Sequence, residues 1–381
     1  MTAKIVFWLA AGLLFYTYAG YPLLLGLLCL VRRKKGMPEM KDWPSLSILV
    51  VAFNEEQQIA RKLQNVLSCN YPKDLLEVIV CSDGSTDRTN QIVSNSDDPR
   101  IKLAATNDNR GVNEAFANGA KLAKGDVLVM TDSGGLFEPD ALRIAVSHFA
   151  DPTVGCVNGL FDHTNPGDKP VASGYRSYWA VETAVRLLES RLGVGCVIVG
   201  AFQVIRRELY RPIDSSLTND IIVPMEVCAR GFRVVYEPKA IVRAPQAKNT
   251  KQEFKRRVRV AVRGWSTLPS LLRVVPFWKT PGNWLVLISH KYLRWLTGLL
   301  MVALLASNAC LLDLPLFRWT LLLQGLFYGV ALAGWGVAVL APKTPQLLIL
   351  PYYFCLLHTA GIIGLARALA RQHIRTWKPE P

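Results

Sequence analysis

Hydrophobic residues in this chain are gathered into blocks rather than spread along it. Residues 5–31 (IVFWLAAGLLFYTYAGYPLLLGLLCLV) carry no charge, and further apolar spans lie at about 292–312, 316–340 and 346–369. The first is long enough to cross the roughly 30 Å hydrocarbon core of a bilayer. It lacks a small-residue cleavage site and is too long for a signal-peptide core. It runs into Arg32-Arg33-Lys34-Lys35, which predicts that the block after it is cytoplasmic and the N-terminus is outside. Stretch 265–290 mixes Trp265, Trp278 and Trp284 with Arg273 and Lys279, the pattern of helices at the headgroup layer; an amphipathic helix packed on the polar block is the alternative. The domain plan is therefore a transmembrane helix at 5–31, an enzyme-sized block at 44–264, interfacial helices at 265–290 and about three transmembrane helices at 291–370. Three crossings after a cytoplasmic block would leave Arg371, Arg375 and Lys378 outside, against the positive-inside tendency. Either one segment is re-entrant or the N-terminal stretch crosses differently.

Between the apolar ends, short apolar runs alternate with helical patterns. Ser47–Ala52 (SILVVA), Glu77–Cys81 (EVIVC), Ile101–Ala104 and Asp126–Met130 (DVLVM) read as strands. Ile59, Leu63, Val66 and Leu67 mark one helix, Gly111–Ala123 a second, and Pro139 opens a third with Leu142, Ile144 and Ala145 on its buried side. Asp87 is placed to cap the helix after the second strand. This alternation predicts an α/β fold with a Rossmann-like, mainly parallel sheet covered by helices. In open sheets of that kind, ligands bind outside the C-terminal ends of the strands.

Charge and cysteines narrow the class. The net charge of +15 over 381 residues would suit a nucleic-acid binder, but the excess lies at the membrane borders and in Lys255-Arg256-Arg257-Val258-Arg259. Anionic lipid headgroups and a diphosphate account for that distribution better than a duplex does, and the basic clusters lack interleaved aromatics away from the membrane borders. No nucleic-acid partner is expected. The eight cysteines form no CxxC pair and no metal-ligand spacing, which predicts buried, reduced thiols.

Three aspartates stand where chemistry would be expected. Asp83 (CSDGSTD) and Asp132 (VLVMTDSGG) each end an apolar strand, and Asp220 (LTNDIIVP) opens a helical segment that stops at Gly231. Asn54-Glu55 and Asp83 offer hydrogen-bond groups for a pyrimidine or ribose, although the same residue types also populate ordinary turns. Asp132 could hold a divalent cation that bridges two phosphates, since such ions often use one or two carboxylates and keep water. Its other reading is a turn or cap. Asp220 could take the proton of an attacking hydroxyl; its other reading is a helix cap. Lys255, Arg256, Arg259 and Arg263 share much of one helical face and could stabilise a leaving diphosphate or meet lipid headgroups. The glycine-punctuated run Gly195–Phe202 is either a buried strand or a loop beside an acceptor.

Taken in order, FNEE (53–56), CSDGSTD (81–87), NRGVNEAFANGA (109–120), TDSGG with FEPDAL (131–142), LTND (217–220) and KRRVRVAVRGW (255–265) resemble the membrane-embedded family 2 glycosyltransferases, which include cellulose, hyaluronan and poly-N-acetylglucosamine synthases. The resemblance covers roughly residues 44–270. It implies a GT-A fold, a nucleotide-diphosphate sugar donor (a UDP-sugar is expected), Mg²⁺ or Mn²⁺, and inverting transfer to a growing polysaccharide or membrane-associated acceptor. By motif position it implies nucleotide contacts at Ala52, Asn54, Glu55, Asp83, Arg110 and Asp132, with Asp132 also the metal ligand. It makes Asp220 the catalytic base and sets Gly200, Ala201, Phe202, Arg256 and Arg259 around acceptor and diphosphate. The chain departs from the family pattern at three places. Ser82 replaces the first aspartate of D-D-G-S, Gly134 replaces the second carboxylate of D-x-D, and Arg256 and Val260 replace the glutamine and tryptophan of Q-x-x-R-W. The implied setting is a bacterial inner membrane, with lipids and possible export-complex partners. Alternatives are single transfer onto a polyprenyl phosphate or glycolipid, and a non-catalytic export subunit.

Overall fold

The computed structural model describes residues 1–32, 36, 38–163, 170–244, 250–340 and 345–372; Arg33, Lys34, Lys35, Arg375 and Lys378 of the basic borders lie outside them. Among the described residues, eight strands form one sheet: β1 (Leu46–Ala52), β2 (Leu76–Asp83), β3 (Ile101–Thr106), β4 (Val127–Asp132), β5 (Leu136–Phe137), β6 (Val154–His163), β7 (Phe202–Arg206) and β8 (Arg233–Ala244). Their order is β3-β2-β1-β4-β7-β6-β8-β5. The four strands anticipated from the apolar runs form the parallel half, β3-β2-β1-β4. The other half is mixed, because β7 runs antiparallel to both β4 and β6.

Strand β1 shows why this half is apolar throughout. Ile48 and Val50 face one core and Leu49 and Val51 the other, and all four are buried. A strand covered on both faces needs no polar alternation. Helices Ile59–Leu67 and Ala141–Ser147 cover one face, and Val112–Leu122 and Asn219–Ala229 pack on the other.

Register then decides where the strand ends meet. Val51 pairs with Asp132, and Ala52 pairs with Ser82, so the C-terminal ends of β1, β2 and β4 share one edge. Because β7 is antiparallel to β4, its first residue, Phe202, pairs with Thr131. The loop that precedes β7 is thereby delivered to Asp132. Run Gly195–Phe202 thus takes both forms left open by its sequence, a loop to Ala201 and a strand from Phe202.

Four helices among the described residues are long and apolar enough to cross a membrane: Thr2–Val31, Pro281–Ala309, Pro315–Leu340 and Leu347–Leu369. Polar bonds tie them together at depth, as expected where lipid offers no hydrophobic drive for association. Tyr18 Oη lies 2.8 Å from His358 Nε2 and 3.1 Å from Thr297 Oγ1, and Tyr16 Oη lies 2.8 Å from Ser289 Oγ. Stretch 265–290 is divided between two long helices: its start completes Thr250–Val274, and its end begins the run from Pro281 to Ala309. Trp284 is buried and donates to the Val275 carbonyl at 3.1 Å, whereas Trp278 is exposed.

Candidate active site

The polar loops after β1 and β2 are knitted to each other. Asn54 sits at φ +54°; its backbone N–H donates to Ser85 Oγ at 3.1 Å, and its side-chain oxygen accepts from Thr86 N at 2.8 Å. Glu55 N donates to Thr89 Oγ1 at 2.8 Å, and Glu56 N to Asp87 Oδ2 at 3.0 Å. Asp87 also accepts from Thr89 N at 2.9 Å, which fixes the start of helix Thr89–Ser94. Asp83 is buried, and its two carboxylate oxygens accept from Arg110 N and Gly111 N, each at 2.8 Å. Burial pushes its carboxyl up and those two N–H groups pull it back. Gly84, at φ +73°, packs so closely on Asp108 that a Cβ would lie 2.5 Å from that residue's carbonyl carbon.

A cavity of about 290 Å³ opens at the end of β4. Asp132, Gly200, Ala201, Asp220, Arg256 and Arg259 all line it. Asp132 reaches it from the β4 terminus and Gly200 and Ala201 from the loop before β7, while Asp220 comes from the first turn of Asn219–Ala229 and the arginines from Thr250–Val274. Burial raises the Asp132 carboxyl to about 6; Lys62 and Arg259 oppose the rise and Asp220 adds to it. Burial also raises Asp220, against the pull of nearby Lys291, Arg263 and Arg186. Gly200 is required by closeness: a Cβ there would collide with Asp220 Oδ1 and lie 3.0 Å from Asn219 Oδ1.

The remaining expected residues fall elsewhere. Phe202, expected beside the acceptor, is a core side chain: it is fully buried and meets Phe137 edge-on at 5.0 Å between ring centroids. Strand pairing with Thr131 turns its side chain into the sheet's packing layer. Ala52 is also fully buried, so only its backbone could meet a ligand. Asn54, Glu55, Asp83 and Arg110 belong to the knitted loops; Arg110 is exposed and pairs with Asp108 at 3.6 Å. Lys255 is exposed and does not line the cavity.

Several residues join the site without having been singled out. Lys62 is fully buried beneath Asp132; its Nζ donates to Thr131 Oγ1 at 3.1 Å and to the Gly135 carbonyl, and lies 4.2 Å from the centre of the Phe137 ring. Burial lowers this ammonium to about 7, with Asp132 resisting. Its signal was positional, since it falls in phase with Ile59, Leu63 and Val66 on the inward face. Glu182, Arg186 and Lys291 also line the cavity, as does Arg257 of the basic run already named.

Among the described residues no group of three or more histidine, cysteine, aspartate or glutamate side chains could hold a metal ion. A hard cation at the β4 end could take one carboxylate oxygen from Asp132 and would need the rest from a diphosphate and water, an arrangement Mg²⁺ uses at phosphates.

The architecture defines the class: a GT-A-type sheet with membrane-length helices appended. Over 97% of this chain and 100% of the other, it superposes at a TM-score of 0.72 and 21% identity on the mannosyltransferase PcManGT from Pyrobaculum calidifontis, solved in complex with GDP-Man and Mn²⁺. The family profile "Glycosyl transferase family 2" matches residues 47–213. Among curated proteins, poly-beta-1,6-N-acetyl-D-glucosamine synthase of Staphylococcus aureus (strain COL) is 26% identical over 249 residues, 62% of this chain and 58% of that protein. Probable glycosyltransferase YdaM of Bacillus subtilis (strain 168) is 28% identical over 242 residues, 60% and 57% of the two. The match spans less than two thirds of the length of either relative. Asp220 lies beyond the matched family domain.

Proposed function

We propose that the protein is an inverting glycosyltransferase that moves a sugar from a nucleotide-diphosphate donor to an acceptor hydroxyl at the membrane. The observation that carries this reading is the convergence of Asp132, Asp220, Gly200 and Arg259 on one cavity at the C-terminal strand edge. Asp220 accepts the proton of the attacking hydroxyl; burial raises its carboxyl, which makes it a better base than an ordinary aspartate. Gly200 leaves room for the sugar against that carboxylate. Arg256 and Arg259 face the charge that develops on the departing diphosphate. Lys62 holds the β4 end from below, so that Asp132 is aimed into the cavity. A bound Mg²⁺ or Mn²⁺ would neutralise phosphate charge beside Asp132. The loops at Asn54, Glu55 and Asp83 form the nucleotide side of the site.

The Mn²⁺ and GDP-Man in the PcManGT complex and the poly-N-acetylglucosamine product in the name of the S. aureus relative support a metal-dependent nucleotide-sugar reaction. They leave UDP and GDP both to be tried. Four membrane-length helices support a membrane protein, and the basic run Arg32-Arg33-Lys34-Lys35 after the first apolar span supports a cytoplasmic cavity. The test is a screen of UDP- and GDP-sugars for nucleotide release by the purified chain, with Mn²⁺ or Mg²⁺ and with chelator. Release from one donor, lost on chelation, is expected. Release from none of them contradicts the reading.

A further inference from the structure

The helix that carries Asp220 starts without help from its own side chains. Thr218 stands at its N-cap, yet no side chain closes a capping bond there; only the Thr218 carbonyl engages, accepting from Ile221 N at 3.3 Å and Ile222 N at 3.2 Å. A helix end in that state is prone to fray, because its first N–H groups have no partner inside the helix. Asp220 lies in that first turn, and Gly200 packs so closely on its Oδ1 that no methyl group fits between them. The direction of the turn must therefore be set from elsewhere.

Partners from two other helices take hold just before it, at Leu217 and Thr218. Asn113, in the first turn of Val112–Leu122, donates from Nδ2 to the Asp214 carbonyl at 2.8 Å and to the Leu217 carbonyl at 3.0 Å. Thr267, on the long helix Thr250–Val274, accepts from Thr218 N at 2.9 Å. Its own hydroxyl proton goes to the Arg263 carbonyl at 2.8 Å, which turns a lone pair toward Thr218. Arg263 adds a bond from Nη2 to the Leu217 carbonyl at 2.6 Å.

Both anchors are rigidly placed. Asn113 is 2% exposed and Thr267 is fully buried. Two residues before Asn113, the Gly111 N–H is held by Asp83, which ties this helix start to the end of β2. The amide is a poor choice for tightening a core: its Oδ1 is buried with no hydrogen-bond partner among the described residues, and burying such an oxygen costs stability. What only the amide supplies is a pair of N–H bonds converging on the backbone that leads to Asp220.

Resting on the transfer reaction proposed above, we infer that Asn113 and Thr267 are positioning residues, which hold Leu217 and Thr218 so that the first turn of the helix aims Asp220 at the acceptor oxygen. Neither lines the cavity, so each acts through Asp220. Asp83, Gly111, Asn113 and Leu217 then form one hydrogen-bonded train from the end of β2 to the base.

The test follows metal-dependent nucleotide release by the purified full chain, using the donor found in the screen above, with nucleotide affinity measured by calorimetry. Asn113→Leu and Thr267→Val keep the approximate shape of each side chain and remove its bonds to the segment. Each should lower kcat about tenfold or more, roughly the effect of a sub-ångström displacement of a catalytic group. The donor KM and the nucleotide affinity should stay within about twofold of the parent. Added to Asp220→Asn, either substitution should cost less than about twofold more, because a group that acts through the base has nothing left to position. Thr267→Val carries the inference independently of whether Asn113→Leu folds. An unchanged kcat in Thr267→Val, affinity falling in step with its kcat, or a loss that multiplies with that of Asp220→Asn overturns the inference and spares the transfer reading. Parental release by Asp220→Asn overturns both.

Discussion

The two polar regions at the strand edge are built oppositely. Around Asn54, Asp83 and Asp87 the polar side chains are consumed by neighbouring backbone: Asp83 alone binds two N–H groups, and Asp87 takes up Thr89 and Glu56. Around the β4 end, Asp132 and Asp220 face a cavity, and among the described residues the Asp132 carboxylate accepts no recorded hydrogen bond. A carboxylate already satisfied by its own chain is scaffold, and its loss shows first in stability. One kept buried with its oxygens open is costly to maintain and ready for a ligand. The same residue type therefore does two jobs within one sheet edge.

That contrast can be broken by substitution, starting at the open side. Asp132→Asn should cost about 100-fold or more in kcat/KM for transfer, since the charge that supports the donor diphosphate is gone. Calorimetry should then find that added Mn²⁺ no longer raises nucleotide affinity. Gly200→Ala should lower transfer by tens of fold, roughly the effect of a small displacement of a catalytic group, because the new methyl displaces Asp220. Its thermal midpoint should change little, and an unaffected rate would mean that Asp220 has room the geometry denies it.

The pH profile sharpens the same point. In the proposed reaction Asp220 works as the carboxylate, and burial favours its protonated form, so activity should be lost as pH falls through a value above the ordinary aspartate pKa of about 3.9. A kcat–pH profile with its acid limb at or below that value would contradict the account. On the closed side, Asp83→Asn should cost about 2 kcal/mol of stability, because an amide oxygen can serve only one of the two backbone N–H groups. Denaturant unfolding reads this directly. Lys255→Gln should change transfer by less than about twofold, since the lysine is exposed and outside the cavity.

The parallel half of the sheet was legible because strands covered on both faces must be apolar throughout, and each ended in turn residues. The antiparallel entry of β7 was not legible: a glycine-rich apolar run fits a loop or a strand, and only pairing with β4 decides between them. That pairing places Gly200 at Asp220 and at the same time removes Phe202 into the core. Lys62 was hidden by its chemistry, because a lysine on an apolar helix face reads as solvent-seeking until its partners at Thr131 and Gly135 are seen. Lys291 was hidden by its place at the start of an apolar span, where cations are common. Its neighbours come from three distant stretches of chain, which no spacing rule connects.

The proposed reaction stands or falls on Asp220 being its base rather than the cap of a helix. The most direct measurement is single-turnover sugar transfer by Asp220→Asn beside the parent, with nucleotide affinity determined on the same preparation. The account predicts a loss of about 1000-fold in transfer, with nucleotide affinity within about twofold. Transfer at the parental rate, or equal losses in transfer and in affinity, would contradict it.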